Sequence, residues 1–289
     1  AISQNTKMSR LEIPIEQIKQ IPALFGEKDV LKVLQLMPGV QSGSEGQAGL
    51  YVRGGGPDQN LIILDDATVY NAFHLFGFYS LFNGDALKSV ELIKGGFPAR
   101  YGGRLSSVLD MRMKDGNKEK FTGEAGIGLI ASRITLEGPI IKGKSSFIVS
   151  ARRTYIDILT QPFILAATGG QNTGGYFFWD GTAKANYEFS QKDRLYISSY
   201  FGKDRFYFRE RFAGNEFRGG FEWGNATATA RWNHLFSNKL FSNLSLIFTQ
   251  YQFQIDASER VANDEIKLNF SSNIRDFGVK YDFDYLPHP

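Results

Sequence analysis

An alternation of apolar and polar residues at every second position, sustained well beyond an ordinary strand, constrains this chain more than any other feature. In ATATARWN, Ala226, Ala228, Ala230 and Trp232 share one face while Thr227, Thr229, Arg231 and Asn233 share the other. TAKANYEF sets Ala183, Ala185, Tyr187 and Phe189 against Lys184, Asn186 and Glu188. FGVKYDFDY sets Phe277, Val279, Tyr281, Phe283 and Tyr285 against Gly278, Lys280, Asp282 and Asp284. Side chains of a strand point alternately to its two faces, so each segment has one apolar and one polar face. Soluble sheets alternate too, and length separates the two cases. Segments 193–208 and 239–257 exceed both the usual strand of about 5 to 6 residues and the roughly 9 to 11 that cross a bilayer, which favours a membrane barrel. The alternation slips phase near Thr249 and Gln250 and near Ile274 to Asp276, as a bulge or a strand leaving the bilayer would cause. EFSQKDRL, LFSNKLF and EGPIIKGKSS are short connections, whereas residues 156–175, 209–218 and 258–263 read as longer loops. Short turns at one rim and long loops at the other fit outer-membrane barrels.

Composition removes other classes. The longest apolar runs, LIIL at 61–64 and FILAA at 163–167, fall far short of the roughly 18 residues of a membrane helix. There is no cysteine, hence no disulfide or thiolate metal site, and His74, His234 and His288 stand at no ligand spacing. With 33 basic and 30 acidic residues, the net charge of +3 gives no pull toward nucleic acid. The opening AISQNTKMSRLEIPIEQ lacks a basic-then-apolar signal region, so the numbering is expected to start after processing or after an upstream segment.

Two regions have different patterns. Residues 1–113 read as a small mixed domain: Val30, Leu31, Val33, Leu34 and Met37 form a helical stripe closed by Pro38 and Gly39, and NLIILDDATVY and SVELIKGG are short strands. KDGNKEK is a polar linker, and residues 114–289 carry the alternating strands with almost no helical signal. The stretch YVRGGGPDQNLIILDD at 51–66 invites a phosphate-loop reading, but a nucleotide loop needs a Gly-Lys-Ser/Thr or G-x-G-x-x-G element opening a helix. Here Pro57 follows the glycines. Asp65 and Asp66 sit on opposite faces if extended, so turn or salt-bridge contacts outweigh a cation site. No Ser/His/Asp or paired-carboxylate arrangement emerges, and neither an enzyme nor a cofactor or metal is expected.

DVLKVLQLMPGV, YVRGGGPDQNLIILDDATVYN and ALKSVELIKGGFPARYGGRLSSVLDMRMK resemble, in order and spacing, the successive motifs of the plug domain of TonB-dependent outer-membrane receptors. GGFPARYGGRLSSV is most similar to receptors of Bacteroidota, whose relatives include carboxypeptidase-regulatory-like and SusC-like members. The chain departs from the family in carrying Asp66 where Gly is usual, and in showing no recognisable TonB box. The resemblance implies a small α+β plug domain (1–113) followed by antiparallel transmembrane β-barrel strands (114–289), about eight strands of a 22-stranded barrel in the cell outer membrane. It implies import of a scarce ligand by TonB-driven plug movement, with TonB engaging an N-terminal segment, lipid around the barrel, and a surface lipoprotein as a further partner. Gly54 to Gly56 would shape a tight turn, and Arg53, Arg100 and Arg104 would contact the lumen wall. Tyr70, Asn71, His74, Tyr79, Phe178 and Trp179 are the candidate ligand contacts, the alternative being that they pack plug on barrel or form interfacial girdles. The rival function is a plugged barrel serving as a structural subunit of an outer-membrane assembly. Eight strands enclose only enough room for side chains, and a plug of this size has a radius of gyration of roughly 13 Å. The strands are therefore expected to form an open wall, with the remainder outside this chain.

Overall fold

The computed structural model describes residues 10–13, 15, 29–42, 49–261 and 264–287; His288 and the first nine residues lie outside them. In chain order the N-terminal domain comprises β1 (Arg10–Ile13), α1 (Val30–Gln35), β2 (Val40–Ser42), β3 (Leu50–Val52), β4 (Asn60–Leu64), β5 (Ala67–Thr68), β6 (Phe73–His74), β7 (Tyr79–Ser80), β8 (Leu87–Lys94) and β9 (Ser107–Met113). Asp29 caps α1 by accepting the Lys32 N–H at 3.0 Å, and Val30, Leu31, Val33 and Leu34 enter the core. Gly39, in the left-handed region at φ 75°, turns the chain away after the helix.

The main sheet of this domain runs β1-β8-β9-β4-β5, with β4 parallel to β9 and the other pairs antiparallel. All five residues of β4 are buried because both of its faces are covered: Ile62 and Leu64 join the main core, Leu61 and Ile63 a second cluster with Ile93 and Val108. Such two-sided burial is why LIIL is continuous rather than alternating. The glycine run is a tight turn, as its composition predicts. Arg53 and Gly54 both have positive φ, the Gly55 N–H returns to the Val52 carbonyl at 2.9 Å, and a Cβ on Gly55 would strike Ser106.

The second part is a wall of eight strands: β10 (Thr122–Ile127), β11 (Ala131–Ile141), β12 (Ser145–Thr154), β13 (Thr173–Glu188), β14 (Asp193–Phe212), β15 (Asn215–Ser237), β16 (Leu240–Val261) and β17 (Asp264–Tyr285). Each pairs antiparallel with its sequence neighbour, and β10 and β17 do not meet, so the sheet is open. Facing follows the sequence. Ser198, Tyr200, Thr227, Thr229, Ser245 and Thr249 are buried toward the N-terminal domain, while Ile197, Phe201, Trp232, Leu246, Phe277 and Val279 are exposed on the outer side. The phase slip near Thr249 and Ile274 is no bulge: the register Thr249↔Asp276, Gln250↔Arg275, Tyr251↔Ile274 is uninterrupted. Along one height the outward residues turn polar, with Phe201 giving way to Lys203, Phe248 to Gln250 and Phe277 to Arg275. These strands leave an apolar band there and continue.

Two expectations about connections need correction. Residues 209–218 and most of 258–263 are strand rather than loop: β14 and β15 join through Ala213 and Gly214, both at positive φ, and β16 and β17 are separated by two residues. Cross-strand partners such as Arg211 and Glu216, 2.7 Å apart, let polar sequence continue the ladder outside lipid. The 156–175 connection contains a helix, α2 (Ile156–Ala167), hidden from the sequence by Pro162 and by apolar residues without a polar face. It packs across β13, with Asp157 closing on Gly175, where a Cβ would lie 2.9 Å from the Asp157 Cβ.

Ala228 lies outward within the apolar band, so Ala228→Arg is expected to lower barrel stability by about 2 to 4 kcal/mol, measured by denaturant titration in lipid vesicles. Unchanged stability would show that this face does not meet lipid.

Candidate functional site

The polar contact between the N-terminal domain and the wall is where chemistry concentrates. It starts at the β4–β5 turn, in which Asp65 and Asp66 both take positive φ (46° and 75°). Aspartate tolerates this region better than most residues, which explains how Asp66 stands where a glycine would be easiest. The turn aims two carboxylates at the wall. Asp66 meets Arg112 at 2.8 Å within its own domain, then Arg231 at 3.4 Å and Lys280 at 3.9 Å across the gap, and the Ser245 hydroxyl donates to it at 3.2 Å. Burial alone would raise its pKa. Arg112, followed by Arg231 and Lys280, outweighs burial and lowers the pKa to about 2. Asp65 accepts the Met113 N–H at 3.1 Å and faces the buried Lys184 ammonium at 3.1 Å; Lys184 also reaches Asp115 at 2.9 Å. Farther along, Asp85 pairs with Arg133 at 2.8 Å and the Asn83 amide donates to Ser150 at 3.1 Å.

A second cluster surrounds the β6–β7 hairpin. His74 is fully buried, with Nδ1 2.5 Å from Asp204 and Nε2 3.1 Å from Asp180, and its ring lies parallel to Phe178 at 4.0 Å. Burial pulls the imidazole pKa down, but the Asp204 charge and hydrogen bonds to both carboxylates raise it above its ordinary value. Arg152 holds Asp180 at 2.6 Å and donates to the Ser80 carbonyl at 2.8 Å.

These positions revise the sequence-predicted site. His74, Tyr79 and Phe178 are buried, so they join domain and wall and present no surface to a ligand. Trp179 points outward, since it neighbours inward Phe178 and Asp180, and is half-exposed there. Tyr70 donates to Asp276 of β17, while the Asn71 carbonyl accepts from Asn225 at 2.8 Å. Of the three arginines only Arg100 reaches the wall, at 3.3 Å from Asp284. Arg53 is exposed beside Gly95 on its own domain, and Arg104 bonds the neighbouring Gly103 carbonyl. Across the seam the domain supplies carboxylates and the wall most of the cations, on Lys184, Arg231 and Lys280.

Sequence reasoning missed an aromatic tier above the hairpin. After His74 the backbone takes positive φ at Leu75 and Phe76, lifting the Phe76 ring to 5.2 Å from Trp223 and 5.6 Å from Phe221. Phe206 stacks on Phe221 at 5.0 Å, and Tyr251 and Phe253 pack alongside on β16. Alternation in DRFYF and FEWGN holds these rings in phase with inward Asp204 and Asn225, a signal that could have located them.

Residues 4–107 match the family model described as TonB-dependent Receptor Plug Domain. The fold is similar to the ferric preacinetobactin receptor BauA from Acinetobacter baumannii (TM-score 0.52, 12% identity, covering 97% of this chain and 55% of that one). It is also similar to the FrpB iron transporter from Neisseria meningitidis (0.51, 11%, 98% and 63%) and the siderophore receptor PirA from Acinetobacter baumannii (0.50, 12%, 98% and 59%). This chain therefore spans about three-fifths of the length of the structures it resembles. No curated protein matches it significantly in sequence. The N-terminal domain is a plug of this family, and the chain belongs in the outer membrane.

Asp66→Asn is expected to lower the stability of the seated plug by about 2 kcal/mol at pH 7, the larger part through Arg112 within the plug and the rest through Arg231 and Lys280 of the wall. Because the folded-state pKa is depressed, this contribution is present above the ordinary value of 3.8 and is lost as pH falls through about 2. Wild type and variant should therefore converge in that range when plug release is followed by protease sensitivity in denaturant.

Proposed function

We propose that this chain is the plug (1–113) and the first eight strands (114–289) of a TonB-dependent outer-membrane receptor, which binds a ligand outside and admits it by plug movement. The observation that carries the reading is a plug-family domain held by ion pairs against the inner face of a wall whose outer face is an apolar band. Such an interface fits a part that must separate. Separating such ion pairs exposes charged groups that water accepts, whereas separating an apolar contact exposes surface that water rejects. The wall would continue toward the 22 strands of large transporters, because a lumen of that class is needed to hold a plug.

Ligand contact on this side falls to the aromatic tier. Phe76 at the plug apex and the part-exposed Phe206, Phe221 and Phe253 on the wall present faces suited to stacking against a ring or an apolar surface. TonB would pull on the segment preceding the plug, and a surface lipoprotein would sit at the outer rim. The fold neighbours named above are iron and siderophore receptors, but at this identity they share the fold and do not name the cargo.

Because the chain has no cysteine, a single engineered disulfide can tether plug to wall. Asn83→Cys with Ser150→Cys, at positions whose side chains lie 3.1 Å apart, is expected to abolish growth on whichever substrate a strain lacking the receptor cannot use, from a panel of ferric chelates, oligosaccharides and peptides. Reductant should restore growth. Full growth with the disulfide formed would instead favour a permanent seal in a structural assembly.

A further inference from the structure

We propose that His74 is a proton-dependent latch, locking the β6–β7 hairpin of the plug to the wall as an imidazolium clamped between Asp180 and Asp204. The proposal concerns the plug–wall contact and does not depend on the identity of the ligand. Its basis is donor arithmetic. A neutral imidazole has one N–H, whereas ionised carboxylates only accept. Here both ring nitrogens face carboxylate oxygens, Nδ1 at 2.5 Å from Asp204 and Nε2 at 3.1 Å from Asp180. Against two carboxylates that only accept, both contacts become hydrogen bonds when the ring carries two protons.

Donors converge on both carboxylates. Asp180 is bound by the Arg152 guanidinium of β12 at 2.6 and 2.9 Å. Asp204 of β14 accepts from the Tyr176 hydroxyl of β13 and from the Leu75 N–H at 3.1 Å. Among the described residues, the remaining titratable groups packed here are Tyr79 of β7 and Tyr200 of β14, both buried. With His74 protonated, two cations balance two anions. Loss of the proton leaves one uncompensated carboxylate where no side chain reaches water, a costly arrangement for a buried charge.

Geometry also supplies a direction for release. His74 is followed by Leu75 and Phe76, two non-glycine residues at φ 46° and 53°, a conformation retained only while contacts enforce it. The raised pKa of His74 fixes the sign: its stabilisation is complete below the ordinary value of 6.5 and lost as pH rises through the folded value. The hairpin is therefore held in mild acid and loosened in alkali, opposite to a contact made by carboxylates and fixed cations alone.

Hydrogen exchange on the full-length receptor in detergent, read on the peptide spanning Phe73 to Phe82 and corrected for the intrinsic rate at each pH, tests this. Wild-type protection is expected to stay level up to about pH 6.5 and to fall at least about tenfold by about pH 9. His74→Gln, which cannot ionise, should be weakly protected and flat with pH. Asp204→Asn should move the fall to lower pH, and it keeps the test decisive if His74→Gln does not fold. Flat protection in the wild type, an equal fall in His74→Gln, or an unmoved midpoint in Asp204→Asn would overturn the latch.

Discussion

Pairing of plug carboxylates with cations of the lumen wall is the interaction on which the rest of this structure depends. Asp65, Asp66 and Asp85 project from plug turns and meet Lys184, Arg231, Lys280 and Arg133 on strands whose opposite faces are apolar. A strand can carry both only because successive side chains point to opposite sides. Buried ion pairs contribute little net stability, since desolvation offsets much of the attraction, but breaking one partner away is expensive and wrong registers are penalised. The contact therefore specifies where the plug sits more strongly than it glues the plug there. Around it, neutral hydrogen bonds such as Asn83 to Ser150 and Asn225 to Asn71 complete a seam that is polar along much of its length.

Much of this was legible in the sequence because period two is a geometric signature. Thr227, Thr229 and Arg231 face inward, and Ala226, Ala228 and Trp232 outward, as alternation requires. The phase slip near Thr249 marks the height at which strands leave lipid, where facing rules relax while the ladder continues. Beyond that height polarity misleads, since charged residues that look like loop are paired strand, as with Arg211 and Glu216. Helix α2 was hidden for the opposite reason: a short apolar segment broken by Pro162 has no period to read.

The site was less legible, and the cause is partner choice. Composition marks Arg53, Arg100 and Arg104 as cations in need of acids, yet which side of an interface supplies which charge depends on tertiary placement. Only Arg100 finds a wall carboxylate. Asp65 and Asp66 looked like an unremarkable strand end until the turn gave them positive φ and aimed them outward. Likewise His74 and Phe178, separated by about a hundred positions, become a stacked pair only when hairpin and wall meet.

The unequal strand lengths carry a consequence for the shape of the wall. β12 has 10 residues and β16 has 22, a difference of roughly 40 Å of strand at about 3.3 Å per residue. Through the registers Ser145 aligns with Leu244, so most of the difference falls at the opposite rim, which is cut obliquely, tall along β14 to β17 and low where α2 bridges β12 to β13. A hydrogen-bonded sheet is stiff and cannot fold over as a lid. Along β14 to β17 the paired ladder therefore continues past the apolar band as a rigid extension that the side carrying β12 lacks.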